Sequence, residues 1–562
     1  MTLPFFDDFS ELSVVPNQSL WVDSSVFINA DFPINPPSLG VATFDGLDSY
    51  GNAYGKVDAN IFGQADTLTS HPINLSPFNP GDSIYLSFYY QAQGRSFEPL
   101  ASSDSLVLQF KNKFNAWVTV WVSPGIAQED FKIAMLPVSD TSYLHPSFQF
   151  RWVNYQLYIG NLKQWHIDYV YMNQGRNIND RFFQDQAIVY LPKSPFQPYT
   201  QVPWNHLKQN PASYLRSSFP ISVSNLSTTG ETFTISMSAN DPTDNIGSAS
   251  LGGQSLAANG ISEFTLSPNL NIFSNPFDSS YVRVVSRLSD ILGGNDVRQN
   301  DSAERIVELA NYYAYDDGTA ETGYGIRNSS GSVAYGFQME QADSIRGIWI
   351  HFTQAEAPVT FGLALNLWQV IAPPYTPSSS IDQLIYSKQV GLPVYTDSIN
   401  GFHLYLFDSA IYVDKHFYIG WTQISSFLAN VGMDLNYTYN DSFMPNPNAF
   451  YNVHGEWVPS GVSGTMMMRP VVGKMWPLDP LSIKSAVKKE FRVYPNPAHK
   501  SFHLDGLDEE ISQIDLYDMS GRIQRSYFIS ESYSLEGLVP GIYLLRIRTT
   551  NGAQLSKKLM IE

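Results

Sequence analysis

The chain of 562 residues has no cysteine. Disulfides, thiolate zinc sites, iron–sulfur clusters and cysteine nucleophiles are thereby excluded. Many cytosolic proteins keep a few thiols, so a complete absence points toward an exported protein. Basic residues are scarce: 33 Lys and Arg stand against 52 Asp and Glu, a net charge of −19. A nucleic-acid partner needs a basic face that releases counterions, and none is expected here. No apolar run approaches the ~18–20 residues of a membrane span. The opening Met1-Thr2-Leu3-Pro4-Phe5-Phe6-Asp7-Asp8-Phe9 has no basic n-region and no small-residue cleavage site. The expectation is a cytosolic chain or one whose leader is missing from this sequence.

Catalytic fingerprints are also lacking. There is no His-Glu-x-x-His, no Gly-x-Ser-x-Gly, no P-loop and no dinucleotide motif. Gly81-Asp82-Ser83 sits at a Pro-Gly turn that opens a strand and has no downstream Asp-x-x-His partner, so it reads as a turn. The ten histidines are scattered from His71 to His503 without ligand-like spacing. No catalytic residue is assigned, and the expectation is a protein that is not an enzyme. A hydrolase would need two carboxylates ~5–9.5 Å apart in a cleft, and no pair stands out.

Short alternating runs separated by turn residues dominate what is present. Ile84, Leu86, Phe88 and Tyr90 share one face of a strand, and Leu106, Leu108 and Phe110 share a face of the next. Phe148, Phe150 and Trp152 alternate with Gln149 and Arg151, and Ala116, Val118, Val120 and Val122 alternate with Trp117, Thr119 and Trp121. In Trp165–Val170, alternation places Trp165, Ile167 and Tyr169 on one face and His166, Asp168 and Val170 on the other. Helical periodicity is rare, with Ala303–Leu309 one short candidate. The fold class is therefore all-β, a multi-domain chain of β-sandwiches. Proline clusters and polar loops divide it into residues 1–195 (a jelly roll), 200–305 (an Ig-like sandwich), 311–477 (a second, jelly-roll-like sandwich), a linker at 478–490, and a small Ig-like unit at 491–562. From Lys484 onward 11 basic residues meet 10 acidic ones, whereas residues 1–483 carry a net charge of −20. Such a difference suggests different tasks.

The last unit contains Val493-Tyr494-Pro495-Asn496-Pro497-Ala498, then Leu516-Tyr517-Asp518-Met519-Ser520-Gly521-Arg522, then Gly541-Ile542-Tyr543-Leu544-Leu545-Arg546, and finally Lys557-Lys558-Leu559-Met560-Ile561. Pro540-Gly541 turns into a strand that puts Tyr543, Leu545 and Ile547 on one face. The closing Lys-Lys run reads as an edge strand whose charges deter edge pairing. This ordered set closely resembles the type A C-terminal sorting domain of the Bacteroidetes type IX secretion system. The resemblance assigns the sorting signal to Pro495, Asn496, Pro497, Gly521, Arg522, Gly541, Tyr543, Arg546, Lys557 and Lys558. It implies Sec export, an outer-membrane β-barrel shuttle and translocon as partners, and a sortase-like endopeptidase that removes the domain. The destination it implies is the cell surface or the extracellular space, with the missing leader removed beforehand.

The first unit, with Phe5-Phe6-Asp7-Asp8-Phe9 and Ala42-Thr43-Phe44-Asp45-Gly46-Leu47-Asp48, resembles a MAM or concanavalin-like jelly roll. Asp168 with Asp45 or Asp48 offers oxygens to calcium, a hard cation, or these aspartates cap turns. His166 reads as a structural histidine. In the third unit Asp316, Asp317 and Glu321 flank Gly318 and form a structural turn, a calcium loop or, least favoured, an acid/base site. Calcium is the one cofactor the sequence suggests. Asp-(Ser/Thr)-aliphatic occurs seven times and resembles the Bacteroidetes O-glycosylation signal, which implies glycans on Thr67, Ser83, Ser105, Ser302, Ser344, Ser398 and Ser409. The alternative is that Asp-Ser simply starts strands. The 33 Tyr, 35 Phe and 11 Trp are read mainly as core, with some free to stack on sugars. The cargo is thus expected to be a binding or adhesion module for a glycan or surface polymer, or else a structural subunit docking on an outer-membrane complex.

Overall fold

The computed structural model describes residues 1–55, 61–241, 244–271, 280–289, 297–328, 330–354, 362–378, 381–396, 399–426, 428–436, 448–473, 492–505, 511–517, 523–527, 530, 532–549 and 554–561. The chain divides into two compact units, Met1–Lys474 and Met475–Glu562. The first is called the passenger below and the second the tail.

The passenger opens with two antiparallel sheets. One runs in the order Phe27–Asn29, Val41–Phe44, Trp165–Asn173, Tyr85–Ala92, Lys132–Pro137, with Phe5–Asp7 also paired to Trp165–Asn173. The other runs Phe62–Thr69, Phe150–Leu157, Ser105–Lys111, Trp117–Pro124. The inward phase of each strand fills one core: Ile84, Leu86 and Phe88 meet Leu106, Leu108, Phe110, Phe148, Phe150 and Trp152. These are the alternations visible in the sequence, and each large apolar side chain buried this way contributes roughly 1.5–3 kcal/mol.

The alternation expected in Trp165–Val170 fails at its end. Trp165 and Ile167 lie in the core, but Val170 and Met172 join them there. The pairing register with Tyr85–Ala92 shifts between Asp168 and Tyr171, and Tyr169 has φ 53°. This β-bulge inserts an extra residue and reverses the phase. Tyr169 turns to a separate cluster with Tyr89 and Leu226.

A second pair of sheets follows. Gln186–Ile188, Phe219–Asn225 and Gly260–Leu266 form one, and Asn245–Leu256, Glu231–Asn240, Ser280–Ser289 and Ser302–Leu309 form the other. The helical candidate Ala303–Leu309 is therefore a strand. Ala303, Val307 and Leu309 point inward at period two, with Glu304, Ile306 and Glu308 exposed between them. The α-helix found among the described residues is the short Trp204–Gln209.

Three further sheets complete the passenger: Thr322–Tyr324 with Val431–Asp434 and Thr465–Met466, a six-stranded sheet centred on His416–Gln423, and His403–Val413 with Asp343–Ile350 and Met468–Val472. One hydrophobic cluster runs through the second and third groups of sheets, from Ile188 through Val284 and Trp421 to Val472.

The tail is a small sandwich. Arg492–Tyr494, Ser501–Asp505 and Tyr533–Ser534 face a sheet ordered Ile523–Tyr527, Ile511–Tyr517, Gly541–Thr549, Gln554–Ile561. Its core of Phe502, Ile514, Leu516, Tyr543, Leu545, Ile547 and Leu559 draws on tail residues alone.

Candidate functional site

The outward phase of the strands that fill the first core builds an open face. On the four-stranded sheet, Thr69 pairs across to Arg151, Arg151 to Gln109 and Gln109 to Thr119. The neighbouring row pairs Lys111 with Trp117. Arg151 donates from Nε to Gln109 Oε1 (2.8 Å), and its guanidinium carbon stands 4.3 Å from the centre of the Trp117 ring. The Lys111 ammonium lies 5.6 Å from the same ring and donates to Gln149 Oε1 (3.1 Å). At the hairpin tip Phe114 is 75% exposed, with the Lys113 ammonium 5.5 Å from its ring. Among the described residues, Lys111, Lys113 and Arg151 form no ion pair. The sequence shows Arg151 and Trp117 only as members of two alternating runs, and strand pairing brings Arg151 beside Trp117, 34 positions earlier.

The acidic residues singled out in the sequence take different places. In the antiparallel ladder Ile167 pairs with Ala42 and Trp165 with Phe44, so Asp168 and Asp45 stand four residues apart along the strands. At about 3.3 Å per residue that is roughly 13 Å, too far for one ion. Asp168 instead accepts from the Ser38 backbone N–H (3.1 Å) and the Tyr169 backbone N–H (2.6 Å), and burial raises its carboxyl well above the usual range. Asp48 caps its own turn, accepting from the backbone N–H groups of Tyr50 and Asn52 at 2.9 Å each. His166 is fully buried, its Nδ1 2.9 Å from Thr43 Oγ1, and burial pushes it down to about 3.

Arginines stand beside the third-unit carboxylates that offered a structural turn, a calcium loop or an acid/base site. Arg469 pairs with Asp316, and Arg305 reaches Asp317 at 3.2 Å and Asp31 at 3.9 Å. Burial would raise Asp317, but the Arg305 guanidinium and bonds from Thr319 and Asn436 hold it below the ordinary value. Glu321 accepts from the Leu435 backbone N–H at 2.6 Å and from Thr319 Oγ1 at 3.0 Å. Burial, then the nearby Asp317 charge, raises it well above its usual range. Asp316, Asp317 and Glu321 thus form the structural turn among these readings. Across this joint Gln164 donates to the Glu321 carbonyl (2.7 Å) and Asn161 to that of Ala320 (3.1 Å), fastening the first sandwich to the third. Among the described residues no group of three or more Asp, Glu and His side chains is gathered to hold a metal ion.

In the tail, the Pro-Asn-Pro motif has a visible use. Asn496 donates from Nδ2 to the Lys558 carbonyl and accepts at Oδ1 from the Met560 backbone N–H, both at 2.8 Å. The Ala498 backbone N–H then donates to the Met560 carbonyl (2.8 Å). Segment 495–498 therefore covers part of the edge that the two lysines were expected to guard alone. The flanking prolines have no N–H, so the asparagine side chain supplies the pairing. Tyr543 is buried and donates from its hydroxyl to the Val539 carbonyl (2.7 Å). Gly541 opens the strand opposite Ile561. Lys557 pairs opposite buried Leu545, on the core side, whereas exposed Lys558 pairs opposite Leu544 on the outer face. Arg546 lies on that outer face, its guanidinium carbon 4.8 Å from the Tyr517 ring centre. Ile542, Leu544 and Met560 are exposed beside it. Gly521 and Arg522 lie outside the described residues.

Of the seven Asp-(Ser/Thr) positions, Ser83, Ser302 and Ser409 are exposed, and Thr67, Ser105 and Ser344 are half-buried. Ser398 lies outside the described residues. Several of the preceding aspartates do structural work: Asp104, buried, accepts from the Lys163 ammonium at 2.6 Å, and Asp343 from His206 Nε2 at 2.9 Å.

Residues 492–562 match the family described as the secretion system C-terminal sorting domain. No curated protein matches the chain. Among solved structures, a GH2 β-galacturonidase from Eisenbergiella tayi is similar at 10% identity and a TM-score of 0.22, over 56% of this chain and 46% of that one. A Bacteroides uniformis β-glucuronidase is similar at 11% identity and a TM-score of 0.20, over 49% of this chain and 30% of that one. The glycoside hydrolase domain of Endo-D from Streptococcus pneumoniae gives 9% identity and a TM-score of 0.20, over 55% and 43%. The chain spans less than half the length of these structures, and likenesses this slight carry no conclusion about it. The tail is a sorting domain of type IX secretion cargo, and it marks the chain for export to the cell surface or extracellular space.

Proposed function

We propose that the protein is a non-enzymatic surface protein whose passenger binds an acidic surface polysaccharide through the outer face of the first sandwich. One observation carries this reading. Lys111, Lys113 and Arg151 gather beside Trp117 and Phe114 with no carboxylate at ion-pair distance among the described residues, Asp23 and Asp140 acting on Arg151 and Lys113 only from farther off, on a chain whose residues 1–483 carry a net charge of −20. Guanidinium and ammonium groups suit the carboxylate or sulfate of an acidic sugar, and aromatic rings suit its apolar faces. The tail is then an address read by a β-barrel shuttle and translocon and removed by a sortase-like endopeptidase. Exposed Ser83, Ser302 and Ser409 are the foremost acceptors for any O-glycans. The test is retention of the purified full chain on immobilised acidic polysaccharides against neutral ones. Selective retention that falls in Arg151→Gln and Lys111→Gln supports the reading, and equal elution from both columns overturns it.

A second reading has its own observation. Gln383–Gln389 is the edge strand of the six-stranded sheet and leaves Leu384 51% and Ile385 38% exposed. An apolar edge of this kind accepts another protein. Copurification of the full chain with outer-membrane barrels, lost in Leu384→Lys, favours a docking subunit.

A further inference from the structure

At one end of the first sandwich the interior is polar rather than apolar. Asp66 and Asp45 are buried, at 0% and 2% exposure. A bulge delivers Asp66 there: Gln64 pairs with Tyr155 and Thr67 with Val153, so Ala65 and Asp66 together oppose Asn154. Asn154 and Gln156 point inward from the same strand as Phe150 and Trp152, and both are fully buried. Gly46 joins the parts. Its backbone N–H donates to Asp66 Oδ2 at 2.7 Å, and a side chain added there would meet Gln156 Nε2 at 2.3 Å and the Gly160 carbonyl at 2.9 Å. With φ 76° and no room for Cβ, this position requires glycine.

The polar atoms here are largely unmatched. Asp66 Oδ1 and both amide ends of Asn154 and of Gln156 are buried without a hydrogen-bond partner. Tyr54 is a hydrogen-bonding neighbour of Asp66, and among the described residues the main groups acting on Asp45 or Asp66 include no lysine, arginine or histidine. The charges felt are those of each other and of Asp48, all repulsive, and burial with this repulsion raises both carboxyls. Several buried polar groups without a protein partner in one place are suited to a bound polar or charged species, because a buried donor or acceptor left unmatched is costly.

We infer that Asp45 and Asp66, with the amide oxygens of Asn154 and Gln156 and the Gly160 carbonyl, bind one calcium ion. Calcium takes six to eight oxygens of mixed type in flexible geometry, whereas magnesium demands a strict octahedron. Two carboxylates balance its charge, and amide and backbone oxygens complete the shell. Asp45 also lines a cavity of about 20 Å³ with Asn161 and Thr353, room for about one water, whereas Asp66, Asn154, Gln156 and Gly160 do not line it.

The test uses the full chain, stripped with a chelator at pH 7.5 and titrated with calcium by calorimetry, with thermal unfolding read in parallel. One saturable site per chain is expected, with a higher midpoint of unfolding in calcium than in chelator. The near-isosteric Asp66→Asn loses at least tenfold in affinity and unfolds in chelator no earlier than the parent, because it removes a repulsion. Asp48→Asn, in the half-buried turn that Asp48 caps, keeps the site. A parent chain with no binding heat and the same midpoint in calcium and chelator overturns the inference. So does full calcium affinity in both Asp45→Asn and Asp66→Asn. Equal affinity for magnesium overturns the assignment to calcium.

Discussion

Arg469 grips Asp316 from 153 residues away, with Nε 3.1 Å from each carboxylate oxygen and a second nitrogen on the same group. The guanidinium carbon also lies 3.9 Å from the centre of the Phe402 ring. Asp316 is buried and the Arg469 side chain only 13% exposed, so the guanidinium is the main solvent of the carboxylate. Arg469→Ala strands a buried carboxylate and is expected to destabilise the passenger by about 3–5 kcal/mol. Arg469→Met with Asp316→Leu, which removes both charges, is expected to recover most of that loss. Denaturant unfolding of the two variants checks this, and equal midpoints for both deny the pair its role.

One contribution to the passenger's stability, that of a buried histidine, should be lost to acid before the ordinary carboxylate range. His351 is buried, with Nδ1 2.8 Å from the Gly401 carbonyl, and burial pushes it down to about 4. A depressed histidine stabilises the fold fully above its unfolded value of about 6.5, and that contribution disappears as pH falls toward 4. The loss across this window is on the order of 3 kcal/mol. Unfolding midpoints from pH 7 to 4 should fall less steeply in His351→Asn than in the parent. Asp31, raised to about 6 by burial and the Asp317 charge, works the other way, favouring the fold below its unfolded value and losing that as pH rises through 6. Asp31→Asn should therefore steepen the acid loss.

In the tail, Asn496→Ala removes two hydrogen bonds to the strand Gln554–Ile561. A cost of about 1–2 kcal/mol is expected, and the freed edge should raise self-association at high protein concentration. Sedimentation and thermal unfolding of the full chain measure both. A monomer of unchanged stability shows that the motif serves only recognition.

Binding at the open face of the first sandwich should weaken with salt, since its contacts are charged and exposed. Retention on an acidic polysaccharide is expected to fall severalfold between 50 and 500 mM salt, and Trp117→Ala should lower it further by releasing Arg151. Salt-independent retention points to apolar contacts instead.

Much of the fold was legible because burial imposes a local period. Leu106, Leu108 and Phe110 declared their strand, as did Tyr543, Leu545 and Ile547, since alternate residues of a half-buried strand face one core. Ordered motifs over the last seventy-odd residues exposed the tail before any coordinate did. The failures share a cause. Tyr169 and Asp66 sit at bulges, where one inserted residue reverses the phase, and a bulge depends on the partner strand. Asp66 was visible only as the neighbour of Thr67. Asp316 looked like a calcium ligand because Arg469 lies far along the chain, and the Asp45–Asp168 pairing failed on a ladder register that composition does not encode.

The central claim is that the last 71 residues are a separable address. Its most direct measurement is fractionation of the native host expressing either the full chain or residues 1–490, each behind a Sec leader. The full chain is expected at the cell surface or in the medium, and the shortened chain, folded and soluble, in the periplasm. Surface display of the shortened chain at the level of the full one would contradict the account.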